Sequence, residues 1–309
     1  MKNNWVSFSP HIKGKKTINA MYLFMIVALV PALVGSVFIN GYAQAISVAV
    51  SVLTAFLCDV MFNLIKNKKF EVSEISSIYV GLLIGMSMPT ASSVWQAIVG
   101  TALVIILIKG CTGGVSDNLV SEVAVAKILM FIMFGSAYYR FRDVSTGDMT
   151  DTALIDRVIE GTKRSVDYAD VVLGQQNGAI GETMIGALLL AGVVLCIMKI
   201  IDFRVPLAFL VSSFLVACLL FDSSTAVLIM LSSGVVFCAF FVATEYSQVP
   251  SNKWLRYAYG LALGIITAFI WKYGTYQIAP YYAVLICGLV LNAFKWTMQP
   301  KYVEEEKKA

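Results

Sequence analysis

Ten runs of mostly apolar residues, separated by short polar stretches, limit what this chain can fold into more than any other feature of its sequence. They are 19–38, 42–65, 78–90, 94–108, 121–139, 183–201, 205–221, 224–243, 256–273 and 277–295. A run of about 20 apolar residues crosses the hydrocarbon core of a bilayer as a helix. Composition agrees: 59% of residues are hydrophobic and 14% charged, against about 25% charged in a soluble domain. Backbone polar groups in lipid must be satisfied within the chain. The expected fold is therefore an all-α integral membrane protein of about ten transmembrane helices. The third run is short and ends in Met88-Pro89-Thr90, as helices that line cavities often do. Met1–Thr17 is polar and basic, without the character of a cleavable signal sequence.

Lysine and arginine in the short loops set the expected orientation. With ten spans, one side collects Lys2, Lys13, Lys15 and Lys16, then Lys66, Lys68 and Lys69, then Lys109, Lys199, Arg204, Lys253 and Arg256, and finally Lys295, Lys301, Lys307 and Lys308. The opposite loops at 39–41, 91–93, 222–223 and 274–276 contain neither residue. Both termini are thus expected in the cytoplasm. The one long polar insertion, 142–182, is expected on the outer face, with eight acidic residues against four basic ones. It divides the chain into a five-helix half over 1–141, an outer loop over 142–182, and a second five-helix half with a short tail over 183–309. An odd number of spans per half places the halves in opposite orientations, an inverted repeat.

Few side chains invite chemistry. The six cysteines are scattered, without CxxC spacing, and five lie in apolar runs where Cys packs as a small hydrophobe. His11 is the lone histidine, so a His-based metal or haem site is not expected. Asp59 and Asn63 stand one helical turn apart in the second run. Asp59 is either an ion-pathway residue or a carboxylate that snorkels to nearby water. Glu122 opens the fifth run, where a helix N-terminus favours negative charge. Glu182 stands where it would cap the sixth. In Thr146-Gly-Asp-Met-Thr150-Asp-Thr152-Ala-Leu, Asp151 or Thr152 is placed to cap a helix over 153–164. No GxGxxG follows a strand, so no dinucleotide site is expected in this chain. An inverted-repeat channel or permease for a small solute, with no redox role, fits these observations too.

The segments taken in order carry a resemblance. They are Ser9-Pro10-His11-Ile12 with Met21 and Pro31, then Lys109, Gly113-Gly114 and Asn118. Gly174, Gly178 and Gly181-Glu182-Thr183 follow, then Asp202-Phe-Arg204-Val-Pro206, Ala243-Thr-Glu245 with Pro250, and Gly260, Gly264, Gly274, Tyr282-Ala283 and Asn292. Together they resemble the RnfD subunit of Rnf ferredoxin:NAD oxidoreductases and, more distantly, its counterpart in the sodium-pumping NADH:quinone oxidoreductase. The resemblance implies a membrane flavoprotein subunit of an ion-translocating complex, coupled to Na+ or H+. It implies FMN joined to an outer-loop threonine by a phosphoester, here Thr152, with Thr150 as the alternative. Gly178 and Gly181 would let the backbone approach that flavin. A second, noncovalent riboflavin is implied without residues to assign. The implied partners are the other membrane and soluble subunits, a flavin-attaching transferase and membrane lipid, with no nucleic acid. The implied location is the bacterial inner membrane. NAD and ferredoxin chemistry would sit on partner subunits.

Overall fold

The computed structural model describes residues 18–65, 73–112, 120–135, 138, 140–142, 148–150, 153–154, 168–246, 248–250, 252–273 and 277–298. Thr152, Ser9–Ile12, Gly113-Gly114, Asn118 and most of the span expected to be capped by Asp151 or Thr152 lie outside them.

The described chain is mostly helical. The first group of helices is α1 (Ile18–Asn40), α2 (Ala43–Ile65), α3 (Ser73–Ser87), α4 (Val94–Thr112) and α5 (Glu122–Phe134). A two-stranded hairpin pairs β1 (Phe141–Arg142) with β2 (Met149–Thr150), Phe141 opposite Thr150. After the short α6 (Tyr168–Val172) come α7 (Ile185–Ile197), α8 (Arg204–Leu220), α9 (Ser223–Ser232) and α10 (Val235–Phe237). The last of these runs into a π-helical turn, Cys238–Val242; α11 (Lys253–Tyr273) and α12 (Ala279–Met298) complete the order. Each of the ten apolar runs overlaps a helix. Among the described residues three helices are long and apolar enough to cross a membrane alone: Asn19–Asn40, Ala43–Leu64 and Lys253–Tyr273. The run 224–243, expected as one helix, is broken. Ser223–Ser232 and Val235–Val242 meet at 60°, and count as a fourth candidate span if taken together. The cause is Gly234 in the left-handed conformation, φ +70°, which a side chain rarely adopts.

α1 has apolar residues on both faces. Tyr22, Met25, Leu29 and Ala32 point into the protein, while Leu23, Val27, Val30, Val34 and Phe38 are exposed on the other side. An apolar exposed face is costly in water and favourable in hydrocarbon. α3 is different: Tyr79, Leu83, Ile84 and Met86 are completely buried, and the helix forms the centre of the bundle. Close approach is made by glycine. A Cβ on Gly81 would lie 2.6 Å from Ala55 Cβ, and one on Gly85 would lie 3.0 Å from Val48 Cα, so α3 lies directly on α2. Gly260 and Gly264 seat α11 on α8 in the same way.

At one end of the bundle an ionic clamp holds the α7–α8 turn to α11. Asp202 accepts from the Arg204 backbone N–H at 3.1 Å, from Arg204 Nη1 at 2.9 Å, and from Arg256 Nη1. Arg256 Nε also donates to Pro250 O at 2.8 Å. Partial burial pushes the Asp202 pKa up, but the Arg204 N–H, the Arg256 hydrogen bond and the two guanidinium charges outweigh it and hold it below the ordinary carboxylate value. The stability this group adds is therefore fully present above the ordinary carboxylate range and is lost as pH falls through its lowered value. Asp202→Asn should lower the unfolding temperature in detergent at pH 7 by a few degrees and leave it less sensitive to acid between pH 5 and pH 3 than wild type. Parallel melts at those pH values check this.

Candidate functional site

The break between α9 and α10 receives the segment 174–184, which turns into the protein from the end where α1 meets α2. α3 stops at Ser87 because Pro89 follows, and a residue before proline leaves the helical conformation. The carbonyls of its last turn then need donors. Ile180 N–H donates to Met88 O at 2.9 Å and Gly181 N–H to Met86 O at 2.6 Å. Ala179 and Pro89 thus form an antiparallel bridge. A Cβ on Gly181 would stand 2.6 Å from Met86 Cβ, so glycine is what lets this pairing form. Thr183 Oγ1 donates to Ile180 O at 3.2 Å and lies 3.3 Å from Ser36 Oγ on α1.

Between Gly181 and Thr183, Glu182 points into the bundle. Its Oε1 accepts from Lys127 Nζ of α5 at 2.7 Å and from Tyr281 Oη of α12 at 2.7 Å. The Lys127 ammonium also lies 4.5 Å from the centre of the Tyr281 ring, within cation–π range. Lys127 is 1% exposed and Glu182 2%. The carboxylate rests against the helix break: a Cβ on Gly234 would overlap Glu182 Cδ and stand 2.7 Å from each carboxylate oxygen. Gln176 Nε2 donates to the backbone oxygens of Glu182 and Thr183 at 3.2 and 3.1 Å. Glu182 is therefore not a cap of α7, which begins after Met184 without a side-chain cap. Residues 181–183 divide three tasks: close packing, charge pairing and anchoring to α1.

A second polar group lies where the break element leaves the core. The π-turn frees a carbonyl from the helical ladder, and Tyr79 Oη of α3 donates to Phe241 O at 3.0 Å. Ser121 Oγ donates to Glu245 Oε2 at 3.2 Å, beside Glu122. Glu122 is 2% exposed and Glu245 3%. Glu122 does open α5, as expected of an acid at a helix start. Asp59 is 1% exposed. It faces the protein interior and does not reach out to water.

The expected flavin residues are partly in view. Thr150 is in β2, half-buried, and Gly178 and Gly181 belong to the re-entrant segment. Leu154 N–H donates to Asn177 O at 3.1 Å, and Ala153 is fully buried. The chain immediately after Thr152 is thereby fastened beside Gly178. Among the described residues a Cβ on Gly178, itself buried, would meet Thr183 Cγ2 alone, at 3.6 Å. Among the described residues no group of three or more His, Cys, Asp or Glu side chains is arranged to hold a metal ion.

A bundle of apolar helices, one of them broken around a buried ion pair, defines a polytopic membrane protein with a polar centre of the kind found in ion-handling proteins. Residues 5–304 match the model of the NQR2, RnfD, RnfE family, and the chain belongs to that family. The D subunit of the Na(+)-translocating ferredoxin:NAD(+) oxidoreductase complex of Acetobacterium woodii is 28% identical, over 93% of this chain and 91% of that protein. The D subunit of the proton-translocating ferredoxin:NAD(+) oxidoreductase complex of Clostridium ljungdahlii is 23% identical, over 96% of this chain and 94% of its own. The D subunit of an ion-translocating oxidoreductase complex of Methanosarcina acetivorans is 26% identical, over 96% of both chains.

Proposed function

We propose that this chain is the membrane flavoprotein subunit of an ion-translocating ferredoxin:NAD oxidoreductase. It relays electrons between partner subunits through FMN held covalently in the 142–182 loop, coupled to movement of Na+ or H+. The observation that carries the reading is the tie between that loop and the re-entrant segment. Leu154 is bonded to Asn177, four residues before Gly181 and five before the buried Glu182. The place where the flavin would be attached and the ion pair are joined by one short run of chain.

The residues present fit the group. Thr152 would hold the FMN phosphate, with Thr150 as the alternative, and the side-chain-free backbone at Gly178 and Gly181 would let the flavin or its phosphate approach. Bound FMN supplies one- and two-electron chemistry, which the protein positions and tunes. What the chain contributes is placement. Arg142 N–H donates to Thr90 Oγ1 at 2.9 Å and Arg142 Nη1 to Asn40 O at 3.2 Å, which fixes the start of the loop to α1 and to the turn after α3. Asn177 ties Leu154 to the later part of the loop, and Thr183, just past its end, bonds to Ser36 of α1.

An inverted arrangement of the halves 1–141 and 183–309 is part of this reading. The inversion itself rests on the odd number of spans per half; α1 packs on α7 and α5 on α12, which pairs the first helix of each half and the last helix of each half. A cytoplasmic location for both termini and an outer location for the 142–182 loop rest on the loop charges, and residence in a bacterial inner membrane rests on the family resemblance. The other subunits, a flavin-attaching transferase and membrane lipid are the partners, and riboflavin is a second candidate cofactor.

In-gel flavin fluorescence of the denatured chain tests the proposal, using a host that also makes the attaching transferase. The wild-type chain should give a fluorescent band, Thr152→Ala should lose at least about nine-tenths of it, and Thr150→Ala should keep it. A wild-type chain without a band would sink the covalent relay and leave the permease reading. Loss only in Thr150→Ala would keep the relay and move its anchor to the hairpin.

A further inference from the structure

The ion pair at the helix break is half-used. Glu182 Oε1 takes both the Lys127 ammonium and the Tyr281 hydroxyl, while Oε2, equally buried, has no hydrogen-bond partner among the described residues. Two more buried oxygens in the segments that wrap this carboxylate are in the same condition. They are Ser233 Oγ, next to Gly234, and Gln176 Oε1, whose amide nitrogen holds the Glu182 backbone. A buried acceptor without a donor costs about 1–3 kcal/mol, and more when charged. Glu182 Oε2 and these two oxygens, on segments that meet at the helix break, are hard oxygen atoms of the type that binds hard cations.

We propose that Glu182 is an exchange site for a monovalent cation, and that Lys127 is the tethered counter-ion that occupies it when the transported ion is elsewhere. The charge arithmetic selects the class of ligand. Glu182 and Lys127 sum to zero, and an interior site tolerates little net charge. One arriving positive charge, Na+ or H+, displaces the ammonium from the carboxylate and raises the sum over the site from zero to one, a charge that one electron relayed through the complex offsets. A divalent ion would leave an excess charge in the core. The displaced ammonium keeps a resting place on the face of the Tyr281 ring. Gly234 is part of the device, since its lack of a side chain lets the carboxylate lie against the break.

This rests on the reading of the chain as a subunit of an ion-moving complex. The test uses the whole complex, purified with this chain and reconstituted in liposomes, with ferredoxin-driven reduction of NAD followed beside ion uptake. One arm measures labelled Na+ with a protonophore present; the other measures internal pH without Na+. Glu182→Gln should lower the ions moved per electron at least about tenfold in whichever arm wild type is active, while the denatured chain keeps its flavin band. Lys127→Met should lower the cation concentration, or raise the pH, at half-maximal uptake by about tenfold or one pH unit, because the carboxylate has lost its competitor. Lys127→Arg, which restores the charge, should bring it back. An assembled Glu182→Gln complex with wild-type stoichiometry would overturn the proposal. If Glu182→Gln does not assemble, the neutral pair Lys127→Met with Glu182→Gln decides. Assembly without ion uptake supports the exchange site. Assembly with full uptake, or no assembly at all, assigns the pair to structure alone and overturns it. A wild-type complex that moves no cation would defeat the ion-moving reading itself, and a missing flavin band would defeat only the relay.

Discussion

Lys127→Met is expected to destabilise the folded chain by about 3–5 kcal/mol, the cost of stripping one partner from a buried ion pair. Methionine is close to lysine in length and volume, so packing is not the cause. What is lost is the ammonium at 2.7 Å from Glu182 Oε1. The carboxylate keeps only the Tyr281 hydroxyl, also at 2.7 Å, and its second oxygen has no donor among the described residues. Water cannot easily repair the loss, because Glu182 is 2% exposed and its backbone is bonded between α1 and α3. In thermal melts of the detergent-solubilised protein the midpoint should drop by on the order of 5–10 °C. Adding Glu182→Gln should recover most of the drop, since two neutral groups in place of a buried pair are tolerated far better than one bare charge. A double-mutant cycle checks this. A single Lys127→Met variant as stable as wild type would mean that the pair contributes nothing to stability.

How far such features can be read from sequence depends on whether they are local. The apolar runs are local, and hydropathy places α2 at 42–65 where the helix covers Ala43–Ile65. Pro89 marks the end of α3 for a reason that involves only its neighbours. The break inside 224–243 also left a local sign, Ser232-Ser233-Gly234, but a Gly in a long apolar run is compatible with a continuous span, and only the φ of +70° decides it. The ion pair is not local. Lys127 and Glu182 are 55 residues apart, on elements whose packing hydropathy does not specify. Glu182 at a helix start reads as a cap because capping needs nothing beyond the next turn. The available signal was Lys127 itself. A lysine well inside the run 121–139 is costly in lipid and calls for an acid from another segment. The Gly181-Glu182-Thr183 triplet carried the family resemblance, yet its physical content became visible only with Met86, Lys127 and Ser36 around it.

Gly264→Val is expected to disrupt the second half of the bundle more severely than any surface change. Gly260 and Gly264 lie one turn apart on α11 and face α8, the small-xxx-small spacing that lets two backbones touch in a membrane. The first atom of a new side chain at 264 would overlap Ser212 Oγ, and it would lie 2.6 Å from Ser213 N and 2.7 Å from Phe209 O. The last two are backbone atoms of a continuous helix, so no rotamer change relieves them. α8 and α11 would have to separate. Ser212, whose Oγ donates to Ala208 O at 2.7 Å, would move with its helix, and so would the Asp202–Arg256 clamp at the near end. Overpacking of this kind costs about 1–3 kcal/mol when neighbours can shift, and more where backbone is fixed, so a loss of at least about 3 kcal/mol is expected. Gly178→Ala makes the comparison, since among the described residues its Cβ meets one methyl at 3.6 Å and its effect on folding should stay within about 1 kcal/mol. Fluorescence-detected size-exclusion profiles after a temperature series distinguish the two. Gly264→Val should lose its monodisperse peak at least about 8 °C below wild type, and Gly178→Ala should track wild type. Equal profiles for all three would mean that α8 and α11 do not pack through glycine.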